Sequence, residues 1–205
     1  MIPRQEWINL HTPTAGELER VTQIALEAHT EWDSMHHLLG WCAVDGKLFP
    51  GVMVGIDPGI DPPQYPLILR ESLTKAMGER LADNTDAPPL AALTLQIESY
   101  MISADATGFT AEQLAAADER RVHELADREE VCLVLTVDVA GRTWWMQKTR
   151  DVPDSVLSYS TVSNGLGTAG GFGRMMRSLT DLLPEFYLAA SEFATPAMLR
   201  GKGRQ

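Results

Sequence analysis

Cysteine is scarce: the 205 residues hold two, Cys42 and Cys132. Each stands alone in an apolar, strand-like run without CxxC spacing, which excludes a disulfide framework and a cysteine zinc site and predicts two buried, reduced thiols. Long apolar runs are missing too. The stretches around Leu90 to Leu95 and Val131 to Val137 are far shorter than the ~20 residues that cross a bilayer, so no membrane association is expected. Met1-Ile2-Pro3-Arg4-Gln5-Glu6 lacks the basic-then-apolar layout of a signal peptide, and a cytoplasmic chain is the expectation. Positive charge is short as well, with 17 Lys and Arg against 28 Asp and Glu and a net charge of -11. Phosphate recognition needs clustered Lys and Arg, so generic nucleic-acid binding is not expected. Mimicry of DNA by an acidic face is also disfavoured, because Arg120, Arg121 and Arg128 interrupt the main acidic segment.

What is present reads as a globular domain. Hydrophobic residues make up 44% of the chain and charged residues 22%, an ordinary balance for a packed core. Thr14-Ala15-Gly16-Glu17 is a capping box, and Leu18, Val21, Ile24, Ala25 and Ala28 recur at helical spacing, predicting a helix over 15–30. His37 to Val44 and Lys47 to Ile56 flank Asp45-Gly46, a two-residue hairpin signal, with Pro50 marking an edge or a bulge. After the Pro-rich stretch 57–66, Leu69, Leu73, Ala76, Met77 and Leu81 line one helical face. Leu90 to Ile102 reads as a strand, and Thr110-Ala111-Glu112-Gln113 opens a charged helix to about Asp127. Val131 to Val137 and Thr143 to Thr149 form a second hairpin around Ala140-Gly141-Arg142. The order predicts an α+β fold: a mostly antiparallel sheet of about five strands built from two hairpins, helices mainly on one face, and a C-terminal amphipathic helical tail.

The division expected is an α+β body over 1–162, a Gly-rich hinge over 163–173 and a helical tail over 174–205. Val152 to Val162 is a candidate additional strand. The body carries 23 acidic and 12 basic side chains up to residue 150, whereas 151–205 has five of each. Met175, Met176, Leu179, Leu182, Leu183 and Phe186 form an amphipathic stripe, which Pro184 should kink or split.

Arg outnumbers Lys 13 to 4 and Ala occurs 22 times, a bias expected from a GC-rich genome. Glu130-Val131-Cys132, Asp138-Val139-Ala140-Gly141-Arg142-Thr143-Trp144, Lys148, and the segment Trp32-Asp33 to His37-Leu38 resemble a group of uncharacterised proteins of high-GC actinobacteria and their phages. The resemblance implies a host cytoplasm or a virion as the setting and implies no chemistry.

Several constellations are weighed for chemistry. Gly165-Leu166-Gly167-Thr168-Ala169-Gly170 matches GxGxxG, but a dinucleotide site also needs a following strand with an acidic residue; the segment reads as a hinge, and no cofactor is expected. His29, Asp33, His36 and His37 are metal-binding residue types without an established spacing, and they read as a polar helix-to-strand corner, so no metal is expected either. Neither cysteine has an adjacent His or basic residue, and GxSxG and SxxK are absent. In a strand, Trp144 and Trp145 face opposite ways, so one should enter the core while the other is covered by the tail or meets a partner. The function expected is that of a non-enzymatic protein-protein interaction or assembly protein. It would contact another chain, or a second copy of itself, through Met175, Met176, Leu179, Leu182, Leu183, Phe186, Trp144 and Trp145. The alternative is a small-ligand-binding protein or enzyme with a pocket between the sheet and the Pro/Gly-rich loops.

Overall fold

The computed structural model describes residues 3–60, 64–83, 88–102, 108–119, 121–150, 152–161 and 170–193. The elements run α1 (Arg4–His11), α2 (Ala15–Ala28), β1 (His36–Val44), β2 (Lys47–Ile56), α3 (Tyr65–Asp83), β3 (Leu90–Met101), α4 (Ala111–Asp118), a 3-10 turn (Val122–Glu124), β4 (Glu129–Asp138), β5 (Thr143–Thr149), β6 (Val152–Thr161), α5 (Gly170–Thr180) and α6 (Leu182–Phe193). The strands form one sheet in the order β2-β1-β3-β4-β5-β6, and every neighbouring pair is antiparallel. The α+β architecture is therefore as the sequence predicts, with β6 joining as a sixth strand.

Turn chemistry sets the registers. Asp45 and Gly46 both adopt positive φ, 51° and 74°, the pair of left-handed residues that a two-residue type I′ hairpin requires. At the other hairpin the Gly141 amide donates to the Asp138 carbonyl at 2.8 Å and the Asp138 amide to the Arg142 carbonyl at 3.1 Å. Gly141 sits at φ 79°, where a Cβ would also collide with the Arg177 guanidinium. Pro50 lies on β2, an outer strand, next to a register shift in its pairing with β1.

Cross-strand pairing sorts the side chains onto two faces. Thr94, Gln96 and Glu98 pair with Thr136, Val134 and Cys132, and this face receives α2, whose Ala25 and Leu26 cluster with Cys132, Val134 and Met146. Leu93 and Leu95 pair with Val137 and Leu135 on the opposite face. They share a core with Leu69, Leu73 and Met77 of α3 and with Met175, Met176 and Leu179 of α5. The helices thus cover both faces, α3 and α5 on one and α2 on the other.

The C-terminal segment departs from expectation. Gly170 to Gly173 are the first turn of α5 and not hinge, while 163–169 lie outside the described residues. Met175, Met176, Leu179 and Leu183 are buried in the chain's own main core, with Leu182 packed partly buried against it; the Phe186 side chain is outside the described set. The expected docking of this stripe on another chain is corrected to docking on the sheet, where exposed β3 and β4 side chains need a cover and the nearest apolar helix supplies it. The break between α5 and α6 falls at Asp181, just before Leu182, Leu183 and Pro184 open the next helix.

Four buried apolar side chains at about 1.5–3 kcal/mol each match a typical domain's whole stability of about 5–15 kcal/mol. Ending the chain after Thr161 is therefore expected to unfold or aggregate the body, and Leu179→Ala to cost about 2–5 kcal/mol in chemical denaturation. A truncated body with unchanged stability would contradict this packing.

Candidate functional site

The four metal-type residues between the end of α2 and the start of β1 do not converge as a set. His29 Nε2 meets Glu98 Oε1 at 2.8 Å, and the Asp33 amide donates to Glu98 Oε2 at 2.8 Å. Asp33, at φ 62°, and Glu130 both accept from Arg150, at 2.9 and 2.8 Å. The carboxylates of Asp33, Glu98 and Glu130 come within 4.8 Å of one another, and Arg150 and the backbone amides answer their charge. His36 and His37, adjacent in β1, point to opposite faces: His36 Nδ1 pairs with Tyr65 Oη at 2.7 Å and His37 Nδ1 with Gln96 Oε1 at 3.0 Å. The polar corner read from the sequence holds for His29 and Asp33; its organising partners Glu98 and Glu130 lie on distant strands and Arg150 in the turn after β5, where no local spacing announces them.

The remaining candidates lie inside the fold. Trp144 stands opposite Thr136 and Trp145 opposite Leu135, so they face opposite ways as alternation requires, yet both are half-buried and packed on the core. Neither tryptophan stands free of the core, because helices roof both faces. Cys42 and Cys132 are free and buried. Burial pushes the Cys132 thiol up to about 12. It also raises Cys42, against Arg80, whose Nη2 lies 2.9 Å from Sγ. Thiols held protonated are poor nucleophiles. Asp138 is fully buried and takes the Arg142 amide, Nε and Nη2 at 2.8, 2.7 and 2.6 Å. Burial still holds its carboxyl above the usual range, and Arg142 reaches on to the Pro13 carbonyl, tying the β4–β5 turn to the start of α2.

What the fold leaves available is the outer edge of β2. A two-residue I′ hairpin makes Val44 and Lys47 a hydrogen-bonded pair, so alternate residues of β2 turn their backbone groups away from β1. Leu48 is the first of these. Its amide donates to Glu17 Oε2 at 2.8 Å and its carbonyl accepts from Arg20 Nη2 at 2.6 Å. Glu17 also accepts from Arg20 Nη2 at 2.7 Å, and that bond, with the Leu48 amide, holds its carboxyl below its ordinary range against the opposing effect of burial. Pro50 follows, with no N–H to offer. Beyond the bulge the outward residues are Met53 and Gly55, and among the described residues none bonds their backbone groups from outside the hairpin. The Met53 side chain is 70% exposed, and Met35, 52% exposed, lies over Gly55. Half of this edge is guarded by polar groups; the other half is open and apolar.

No family model, curated protein or solved structure matched the chain. No helix among the described residues is long and apolar enough to cross a membrane.

The His36–Tyr65 pair, which fixes the start of β1 to the start of α3, makes stability depend on pH. Burial lowers the His36 pKa from 6.5, and His37 and His29 act in the same direction while Glu98 opposes them. The unfolded chain therefore binds a proton that the folded chain resists. The contribution is complete above about pH 6.5 and is lost as pH falls through the lower folded value. His36→Gln is expected to flatten the fall in stability below about pH 6.5 in denaturant titrations, leaving the slope from His11, which burial also lowers. An unchanged slope would show that His36 titrates normally in the fold.

Proposed function

We propose that this chain is a non-enzymatic interaction or assembly protein and that its contact surface is the open half of β2. The observation that carries the reading is Met53, 70% exposed beside backbone donors and acceptors with no outside partner among the described residues. Natural edge strands are blunted by charge, proline, bulges or a covering segment, because an unpaired row of amides and carbonyls recruits other strands. Here Glu17, Arg20, Pro50 and the bulge blunt the first half of β2, while the second half carries methionine and glycine. Exposed apolar side chains next to free backbone groups are the components of strand addition, in which main-chain bonds give affinity and side chains give specificity. The Arg-over-Lys bias and the resemblance of the β4–β5 hairpin support a high-GC bacterial or phage setting, with the host cytoplasm or a virion as the compartment.

Replacing Met53 with a photocrosslinking residue in the expressing cell is expected to give one discrete adduct on illumination, whereas the same residue at Val156, an exposed position on β6, gives none. Absence of an adduct from position 53 would remove the support for an interaction role at this edge.

A further inference from the structure

We propose that the partner of this edge is a second copy of the chain, with β2 pairing antiparallel to its own symmetry mate about a twofold axis through Val54. The inference rests on the interaction reading above and adds the identity of the occupant. Met53 and Gly55 are the two outward residues, and they flank Val54. A twofold axis at Val54 places Met53 of one copy opposite Gly55 of the other, and the reverse. In an antiparallel ladder two such pairs, each exchanging two bonds, use every open donor and acceptor of this stretch. The guarded residues Leu48 and Pro50 fall beyond the paired stretch, so the Glu17 and Arg20 bonds stay intact.

The side chains fit the same operation. Cross-strand partners stand about 4.5–5.5 Å apart, so the Met53 side chain lands beside a residue that has none. A Cβ on Gly55 would approach the Met35 methyl to 2.7 Å, so Met35, itself half exposed, already fills the space over Gly55. Met53 of one copy therefore lands on Met35 of the other, an apolar contact made twice across the axis. A self-complementary patch of this kind is the signature of an isologous contact, in which each residue i that meets j is matched by j meeting i.

Charge does not oppose a second copy at this place. The chain carries -11, so two copies repel overall and a contact between them is best made where carboxylates are absent. The strand Lys-Leu-Phe-Pro-Gly-Val-Met-Val-Gly-Ile contains no carboxylate. Along the chain the first acidic residue past the open stretch is Asp57, three positions from the axis. Its symmetry mate lies six strand positions away, roughly 20 Å at about 3.3 Å per residue, well beyond the screening length of about 8 Å at physiological salt.

The register gives a sharp test on the full chain. Val54→Cys faces itself across the axis as a non-hydrogen-bonded pair, the spacing a disulfide bridges. Val52→Cys faces Ile56 of the partner. Mild oxidation is expected to link Val54→Cys into a covalent dimer and to leave Val52→Cys monomeric. In sedimentation equilibrium from about 1 μM to 1 mM, the unaltered chain is expected to approach twice the chain mass. Met53→Glu, which sets a carboxylate against each Met35, should stay at one. Dimerisation indifferent to Met53→Glu, equal linking of both cysteine variants, or a chain that remains monomeric at the highest concentration would each overturn the proposal. A monomeric chain that still gives an adduct to a different protein through position 53 overturns the twofold pairing alone and leaves the interaction reading standing.

Discussion

A buried relay of hydroxyl groups fixes how α2 lies on the sheet. The Trp41 indole N–H reaches Thr94 Oγ1 at 2.8 Å, Thr94 meets Thr136 at 2.7 Å, Thr136 meets Thr22 at 2.7 Å, and Thr22 reaches the Leu18 carbonyl at 2.6 Å. A threonine has one proton to donate. The indole can only donate and the carbonyl can only accept, so the direction is set from both ends: Trp41 to Thr94 to Thr136 to Thr22 to Leu18. The three threonines are wholly buried, and removing any link strands a donor and an acceptor at about 1–3 kcal/mol each. The relay joins three adjacent strands, β1, β3 and β4, to α2. With Thr22 held over the sheet centre, Glu17 and Arg20 in the preceding turns fall against Leu48 at the margin. The guarding of the edge follows from the packing of the core.

The sequence made the local features legible. Asp45-Gly46 announces its turn because only left-handed residues close that hairpin. Leu69, Leu73 and Met77 announce the buried face of α3 by their spacing, and all three are fully buried. Thr110 and Gln113 form a reciprocal capping box, each side chain bonding the other's amide at 2.8 and 3.2 Å. The helix they start is shorter than its composition suggests. It ends at Asp118, where the Arg121 amide closes on the Ala116 carbonyl at 2.7 Å and Gln113 reaches back to Asp127 at 2.6 Å. The first is a local closing bond at the helix end; the second joins residues 14 apart, which propensity does not encode. Helix α1 escaped notice for a similar reason: Pro3 gives it no side-chain cap, and its buried residues Trp7 and Ile8 show no repeat, only a stack of Trp7 on Tyr187.

The candidate site was less legible than the fold, for a physical reason. Apolar periodicity reports that a face will be buried; it does not report against which chain. Met175, Met176 and Leu179 carry the same pattern whether they cover their own sheet or a partner's. Glu17 illustrates the complementary case. Read locally, it belongs to a capping box, and Thr14 does accept its amide at 3.2 Å, but its carboxylate turns to Leu48, 31 residues away. The open edge at Met53 is visible only as what remains once such long-range bonds are drawn.

The asymmetry of β2 ties core packing to function, and amide hydrogen exchange measures it directly. In dilute protein the Leu48 amide, held by Glu17, is expected to exchange slowly along with those of Val54 and Ile56, while the amides of Met53 and Gly55 exchange fast and slow down as concentration rises. Slow exchange at Met53 and Gly55 in dilute protein, equal to that of Val54, would mean that this edge is already covered within the chain and would contradict the open site.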